Sequence, residues 1–135
     1  MSILQLKNIT VIYGNPPLLD GVELLVQPKE RVCLVGRNGS GKSTLVRCMI
    51  RLIEPTAGEI FIDGQDVLQF DEKTVNELRR TQVSMVFQHY GLLPYRSVIE
   101  NAAYGLEIRG VDQAERLARA AAMLEKVGLA GREYA

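Results

Sequence analysis

Arg31-Val32-Cys33-Leu34-Val35 is a short run rich in β-branched residues, and it ends abruptly in Gly36-Arg37-Asn38-Gly39-Ser40-Gly41-Lys42-Ser43. A run of this kind reads as a strand buried on both faces. Beyond the loop, Ser43 to Ile53 places Leu45, Met49 and Leu52 at the spacing of one helical face, and Pro55 is expected to end that helix. A strand that passes straight through glycines into a helix confines the chain to α/β or α+β folds with a partly parallel sheet.

The loop fits the spacing G-x-x-x-x-G-K-[ST] of the Walker A phosphate loop. Polyphosphate binding needs several backbone N–H groups aimed into one concavity, which glycine permits. It also needs a helix N-terminus, where unpaired N–H groups and the macrodipole favour negative charge. Lys42 would reach the β/γ-phosphates as a point charge. Ser43 would give Mg²⁺ a hard oxygen ligand, and Thr44 could donate to the α-phosphate. Chance yields this pattern in roughly one chain of this length in a couple of hundred, so the segment reads as a nucleotide-phosphate site.

Composition excludes more than it selects. The 135 residues carry 16 basic and 16 acidic side chains, with 47% apolar residues. Disorder needs low hydrophobicity and high net charge, and this chain has neither. No apolar stretch approaches a membrane span, and Met1–Thr10 lacks the apolar core of a secretory signal. Cys33 and Cys48 are too few for a disulfide framework and read as small buried hydrophobes. A single soluble cytosolic domain is expected, with no nucleic-acid partner. The charge is uneven: residues 1–53 hold seven basic and three acidic side chains, and 54–77 hold seven acids and one lysine. Two solvated surfaces would account for that, as would a basic half facing an anion.

Elsewhere, Leu4 to Ile9 alternates as a half-buried strand, and Val22 to Val26 reads as a second. Glu59 to Gly64 predicts a strand and turn, 74–80 a short helix, and Val83-Ser84-Met85-Val86-Phe87 another buried strand. Ser97 with Glu100 has capping-box spacing, and Asp112 with Glu115 repeats it. The last helix should bury Leu117, Ala121, Leu124 and Val127 and stop at Gly128. Arg47 and Arg51, four apart, read as a solvated helix face.

Gly36 to Thr44 resembles the Walker A of ABC-type ATPases, which favour G-x-[NS]-G-[SA]-G-K-[ST]-T. Tyr13, before Gly14 and upstream of the loop, resembles the aromatic that stacks on adenine in that family. Val86-Phe87-Gln88 resembles its Q-loop, where Gln88 would bind Mg²⁺ or the attacking water. Glu54-Pro55-Thr56-Ala57-Gly58-Glu59-Ile60 resembles the hairpin after the phosphate-loop helix. The resemblance implies a truncated P-loop fold with an N-terminal antiparallel β subdomain and an incomplete parallel core sheet flanked by helices. It implies ATP and Mg²⁺ as cofactors. Tyr13, Gly36, Asn38, Gly39, Ser40, Gly41, Lys42, Ser43 and Thr44 would bind the nucleotide. Ser43 and Gln88 would hold the metal, and Lys42 and Gln88 would contribute to catalysis. His89 follows Gln88 too closely to be the family's switch histidine and reads as a surface residue.

Other family elements are absent from these residues: the Leu-Ser-Gly-Gly-Gln signature, a Walker B run ending in Asp-Glu, and the switch histidine. Residues 1–135 therefore read as a partial ABC-type ATP-binding domain that binds rather than hydrolyses ATP. In a full transporter, 89–105 would meet a transmembrane subunit, placing the chain in the cytoplasm at the membrane periphery. Leu92, Leu93, Pro94 and Tyr95 would form an apolar docking surface there or pack into the core. The strand at 31–35 should lack a neighbour, leaving an edge for self-association. The later part resembles ATPases of glycine betaine and osmolyte importers, and the earlier part resembles cytosolic ABC-F proteins. A non-catalytic or engineered nucleotide-binding fragment is the alternative to a transporter segment.

Overall fold

A computed structural model describes residues 2–87 and 91–135. The chain divides into two compact units, Met1–Ser84 and Met85–Ala135.

The first unit is built on a four-stranded antiparallel sheet of order β2-β1-β3-β4. Its strands are β1 (Leu4–Val11), β2 (Leu19–Val26), β3 (Ala57–Ile62) and β4 (Gln65–Asp66). Strict alternation along β1 would put Leu6 and Ile9 on opposite faces. The structure buries both, together with Val11. A bulge reconciles them: Asn8 has φ 51°, and Asn8 and Ile9 together oppose Gly58 on β3. Gly58 is required there. Its φ is 111°, and a Cβ on it would lie 2.6 Å from the Asn8 carbonyl oxygen.

Helix α1 (Lys42–Met49) buries Leu45 and Cys48 against the sheet residues Leu6, Ile9, Val11, Leu19, Ile60 and Ile62. Each fully buried aliphatic side chain contributes about 2 kcal/mol relative to exposure. The helix stops well before Pro55, and Leu52 is exposed. The Leu52 N–H donates to Arg47 O and the Arg51 N–H to Cys48 O, both at 2.9 Å, with Arg51 left-handed at φ 52°. This is a Schellman termination with arginine in the usual glycine position. Arg51 is thus not a solvated face residue. Its guanidinium is tied to Glu54 and to the carbonyls of Val67 and Phe70. Helix α2 (Glu72–Thr81), capped by Asp71 at the Thr74 N–H, buries Val75 and Leu78. From it Arg79 donates to the carbonyls of Ile50 and Arg51 at the end of α1.

The second unit contains a helical hairpin, α3 (Val98–Glu107) and α4 (Gln113–Lys126). The Ser97–Glu100 capping box is present in full. At α4, Asp112 caps the Ala114 N–H, and Gly128 follows the helix end at φ 75°. Ile99 and Ala103 pack on Ala120 and Leu124, with Leu117 and Ala121 beside them. Val127, expected inside, is exposed because it lies past the last helical turn.

The truncated α/β fold with its antiparallel β subdomain follows the sequence-based expectation, and among the described residues no parallel strand is added to that sheet. Neither 31–35 nor 83–87 is a strand; Val35 is 92% and Val86 96% exposed. An extended run becomes a buried strand only when neighbours accept its hydrogen bonds and layers cover its faces. Among the described residues no strand pairs with either run. Cys33 is exposed for the same reason, whereas Cys48 is buried and its thiol pKa is pushed up by that burial and by Glu54.

Candidate functional site

The phosphate loop crosses into α1 at Gly41, which is buried, left-handed at φ 87°, and offers no side chain to cap the helix. The first turn of α1 holds no acidic residue. The Leu45 N–H donates to Gly41 O at 2.8 Å, so the N–H groups of Lys42, Ser43 and Thr44 have no intrahelical acceptor. Within the loop, the Ser40 N–H donates to Arg37 O at 3.2 Å, which curls the chain.

Lys42 does not extend into solvent. Its Nζ donates to Gly36 O at 2.6 Å, to Arg37 O at 2.7 Å, and reaches Ser40 Oγ at 3.5 Å. Three acceptors match the three protons of an ammonium, so the charge is fixed across the loop's opening half. Gly36 leaves room for this: a Cβ there would lie 2.6 Å from Ser40 Oγ and 3.8 Å from Lys42 Cδ. Around Gly39 no atom stands within 4 Å of where a Cβ would be. Free amides, open space above Gly39 and a held cation fit a polyphosphate. The exposed Ser43 hydroxyl fits Mg²⁺, which takes hard oxygens and shares them with phosphate and water. Asn38 is exposed in the same loop.

Tyr13 lies just past β1, 69% exposed, as a stacking aromatic requires. The loop that carries it, 12–18, joins β1 to β2, and its far end, with the first residue of β2, abuts the phosphate loop through Leu18 and Leu19 beneath Gly41. Gln88 and His89 lie outside the described residues. Among the described residues, no group of three or more His, Cys, Asp or Glu is placed to hold a metal.

In the second unit, Leu92, Pro94 and Tyr95 are exposed and Leu93 is half-buried. Asn101 fixes this loop: it accepts from the Leu93 N–H at 2.8 Å and donates to the carbonyls of Leu93, Arg96 and Ser97. Sequence reasoning assigns no role to Asn101 or Thr56. The signal that could have singled out Asn101 is weak, an amide four residues after the Ser97 cap.

The family model described as ABC transporter matches residues 19–134. The trimethylamine N-oxide transport system ATP-binding protein TmoW of Ruegeria pomeroyi is 52% identical over 112 residues, covering 83% of this chain and 33% of that protein. The glycine betaine transport ATP-binding protein OpuAA of Bacillus subtilis is 44% identical over 128 residues, 95% of this chain and 31% of that protein. The methionine import ATP-binding protein MetN of Mesorhizobium japonicum is 41% identical, again over 95% of this chain and 35% of its own length. The chain thus spans about a third of the curated relatives it matches. Its fold superposes on the ATP-binding cassette MJ0796, solved as a dimer in a post-hydrolysis state with ADP and Pi, with a TM-score of 0.86 and 31% identity, covering 97% of this chain and 60% of that one. The relatives named here are transport and import proteins, and the ABC-F resemblance of the earlier part has no counterpart among them. Matched by the family model over residues 19–134, the chain belongs to the ABC transporter family.

Proposed function

We propose that the chain is the ATP-binding segment of the energy-coupling subunit of an ABC importer. The observation that carries this reading is the start of α1, where an uncapped helix N-terminus meets a lysine held across a glycine loop. Gly36, Asn38, Gly39, Ser40, Gly41, Lys42, Ser43 and Thr44 would hold the phosphates, Tyr13 the adenine, and Ser43 with Gln88 the metal. When bound, Mg-ATP supplies the triphosphate charge that this site recognises and the terminal phosphoryl group that a complete cassette transfers to water. The loop amides and Lys42 orient and neutralise that charge.

Residues 1–135 act as a partial domain that binds without turnover. In-line attack on a phosphoryl group needs an oriented water, a group to position it and positive charge on the far side. The sequence carries no Walker B carboxylate, signature or switch histidine to provide them. We further assign the exposed Leu92, Pro94 and Tyr95, on the loop braced by Asn101, to contact with a transmembrane subunit. That contact would hold the protein at the cytoplasmic membrane face. Among the described residues no helix is long and apolar enough to cross a membrane.

Calorimetric titration of Mg-ATP into the 135-residue chain and its Lys42→Ala variant tests the reading. Saturable binding that weakens at least about tenfold in the variant is expected, since charged hydrogen bonds are worth about 1.5–3 kcal/mol each. A chain indifferent to Mg-ATP refutes nucleotide binding. Lys42-dependent phosphate release refutes binding without turnover.

A further inference from the structure

We infer that Thr56 is a positioning residue for adenine recognition, acting through the backbone of Ile12 on Tyr13. The inference rests on the reading of Tyr13 as the residue that meets the base. Strand β1 ends at Val11, and its ladder with β3 ends at the pair Thr10–Ala57. One step further, Thr56 continues the pairing with its side chain. Its N–H donates to Thr10 O at 2.8 Å, and its Oγ1 accepts from the Ile12 N–H at 3.1 Å. The other end of the Tyr13 loop is closed by Leu18 N–H donating to Val11 O at 2.9 Å.

Tyr13 is 69% exposed, so little packing sets its direction; its backbone does. A stacking residue that wanders loses affinity to the entropy of ordering it on binding. Thr56 supplies a fixed point one residue away. It lies on the return from α1 to β3, so the base side of the site is tied to the element that the phosphate loop opens. The hydroxyl bond is solvent-exposed, and water can replace it at Ile12. Its loss therefore changes the freedom of the loop far more than the stability of the fold.

The test is the ratio of affinities for Mg-ATP and for Mg-tripolyphosphate, which lacks the base, measured on the full chain. The wild type should prefer ATP by about two- to tenfold, the range of an aromatic stack. Tyr13→Ala should abolish that preference. Thr56→Val, which replaces the hydroxyl by a methyl group of similar size, should lower it at least twofold while leaving tripolyphosphate affinity and thermal midpoint unchanged. Thr56→Ser should restore it. If Tyr13→Ala erases the preference and Thr56→Val keeps it in full, Thr56 has no positioning role. If Thr56→Val weakens both ligands equally, its role is structural and the inference falls. If Tyr13→Ala keeps the preference, or the wild type has none, the reading of Tyr13 fails first and takes this inference with it.

Discussion

Leu19 closes on Gly41 so tightly that a Cβ at Gly41 would lie 2.7 Å from Leu19 Cδ2 and 3.3 Å from the Leu18 carbonyl oxygen. Leu19 itself is buried as the first residue of β2, and Gly41 is the N-cap of α1. The phosphate loop is therefore seated on the hairpin whose tip carries Tyr13. One contact joins sheet core, helix start and candidate base site.

Gly41→Ala should be destabilising from two directions. The left-handed φ of 87° costs an alanine about 1–2 kcal/mol. Overlap with Leu19 adds about 1–3 kcal/mol, because the neighbour is a packed core side chain. Urea denaturation should show a loss of about 2–5 kcal/mol. The double variant Gly41→Ala/Leu19→Ala should lose less than the sum of the singles, since the smaller residue removes the overlap and leaves the dihedral strain. Strict additivity would mean that Leu19 does not press on the loop.

The irregular run 31–35 predicts self-association. Val35 is 92% and Val32 44% exposed, and the run forms no strand among the described residues. Unpaired backbone beside exposed β-branched side chains is a template for another chain. Sedimentation should show mass rising with protein concentration, and Val35→Lys should shift the chain toward monomer. A wild-type chain that stays monomeric across the concentration range would remove this expectation.

What the residues disclosed in advance divides along a physical line. Features set by contacts within a few residues were legible: the Ser97–Glu100 box, the Gly128 stop, the strand β1 and the loop at Gly36–Ser43. Features set by distant partners were not. Hydrophobic pattern marked 31–35 and 83–87 as buried strands, but pattern reports only what a segment can bury, not whether neighbours exist to bury it. The bulge at Asn8 was hidden because a single left-handed residue leaves no compositional trace. The end of α1 was misplaced because an arginine, braced by Glu54 and two carbonyls, fills a position where glycine would have announced itself. At the candidate site the glycine loop and its lysine stand out by spacing, whereas Thr56 and Asn101 make hydrogen bonds that only the fold creates.

The helical hairpin of 85–135 should lose stability in acid, with Glu107 as a principal cause. Both of its carboxylate oxygens accept from Arg96, at 2.8 and 3.1 Å, and Arg116 stands 3.6 Å away. The hydrogen bond from Arg96 holds the Glu107 pKa below the usual carboxylate range, and the charges of Arg96 and Arg116 act in the same direction against partial desolvation. Glu100, bonded to the Ser97 N–H and hydroxyl, and Glu133, accepting from the Gly131 N–H, are lowered too. A carboxylate whose folded pKa is depressed contributes stability that is fully present above its unfolded value, about 4.3 for glutamate, and is lost as pH falls through the folded value. Thermal melts taken from neutrality downward should therefore fall most steeply below about pH 4.5. Glu107→Gln should melt lower than wild type near neutrality and approach it in acid, because the variant has no charge there to lose. Added salt should narrow the gap, since the Glu107 side chain is 33% exposed. Wild-type and variant curves that stay parallel from neutrality to strong acid would show that the Arg96–Glu107 pair contributes nothing that protonation can remove.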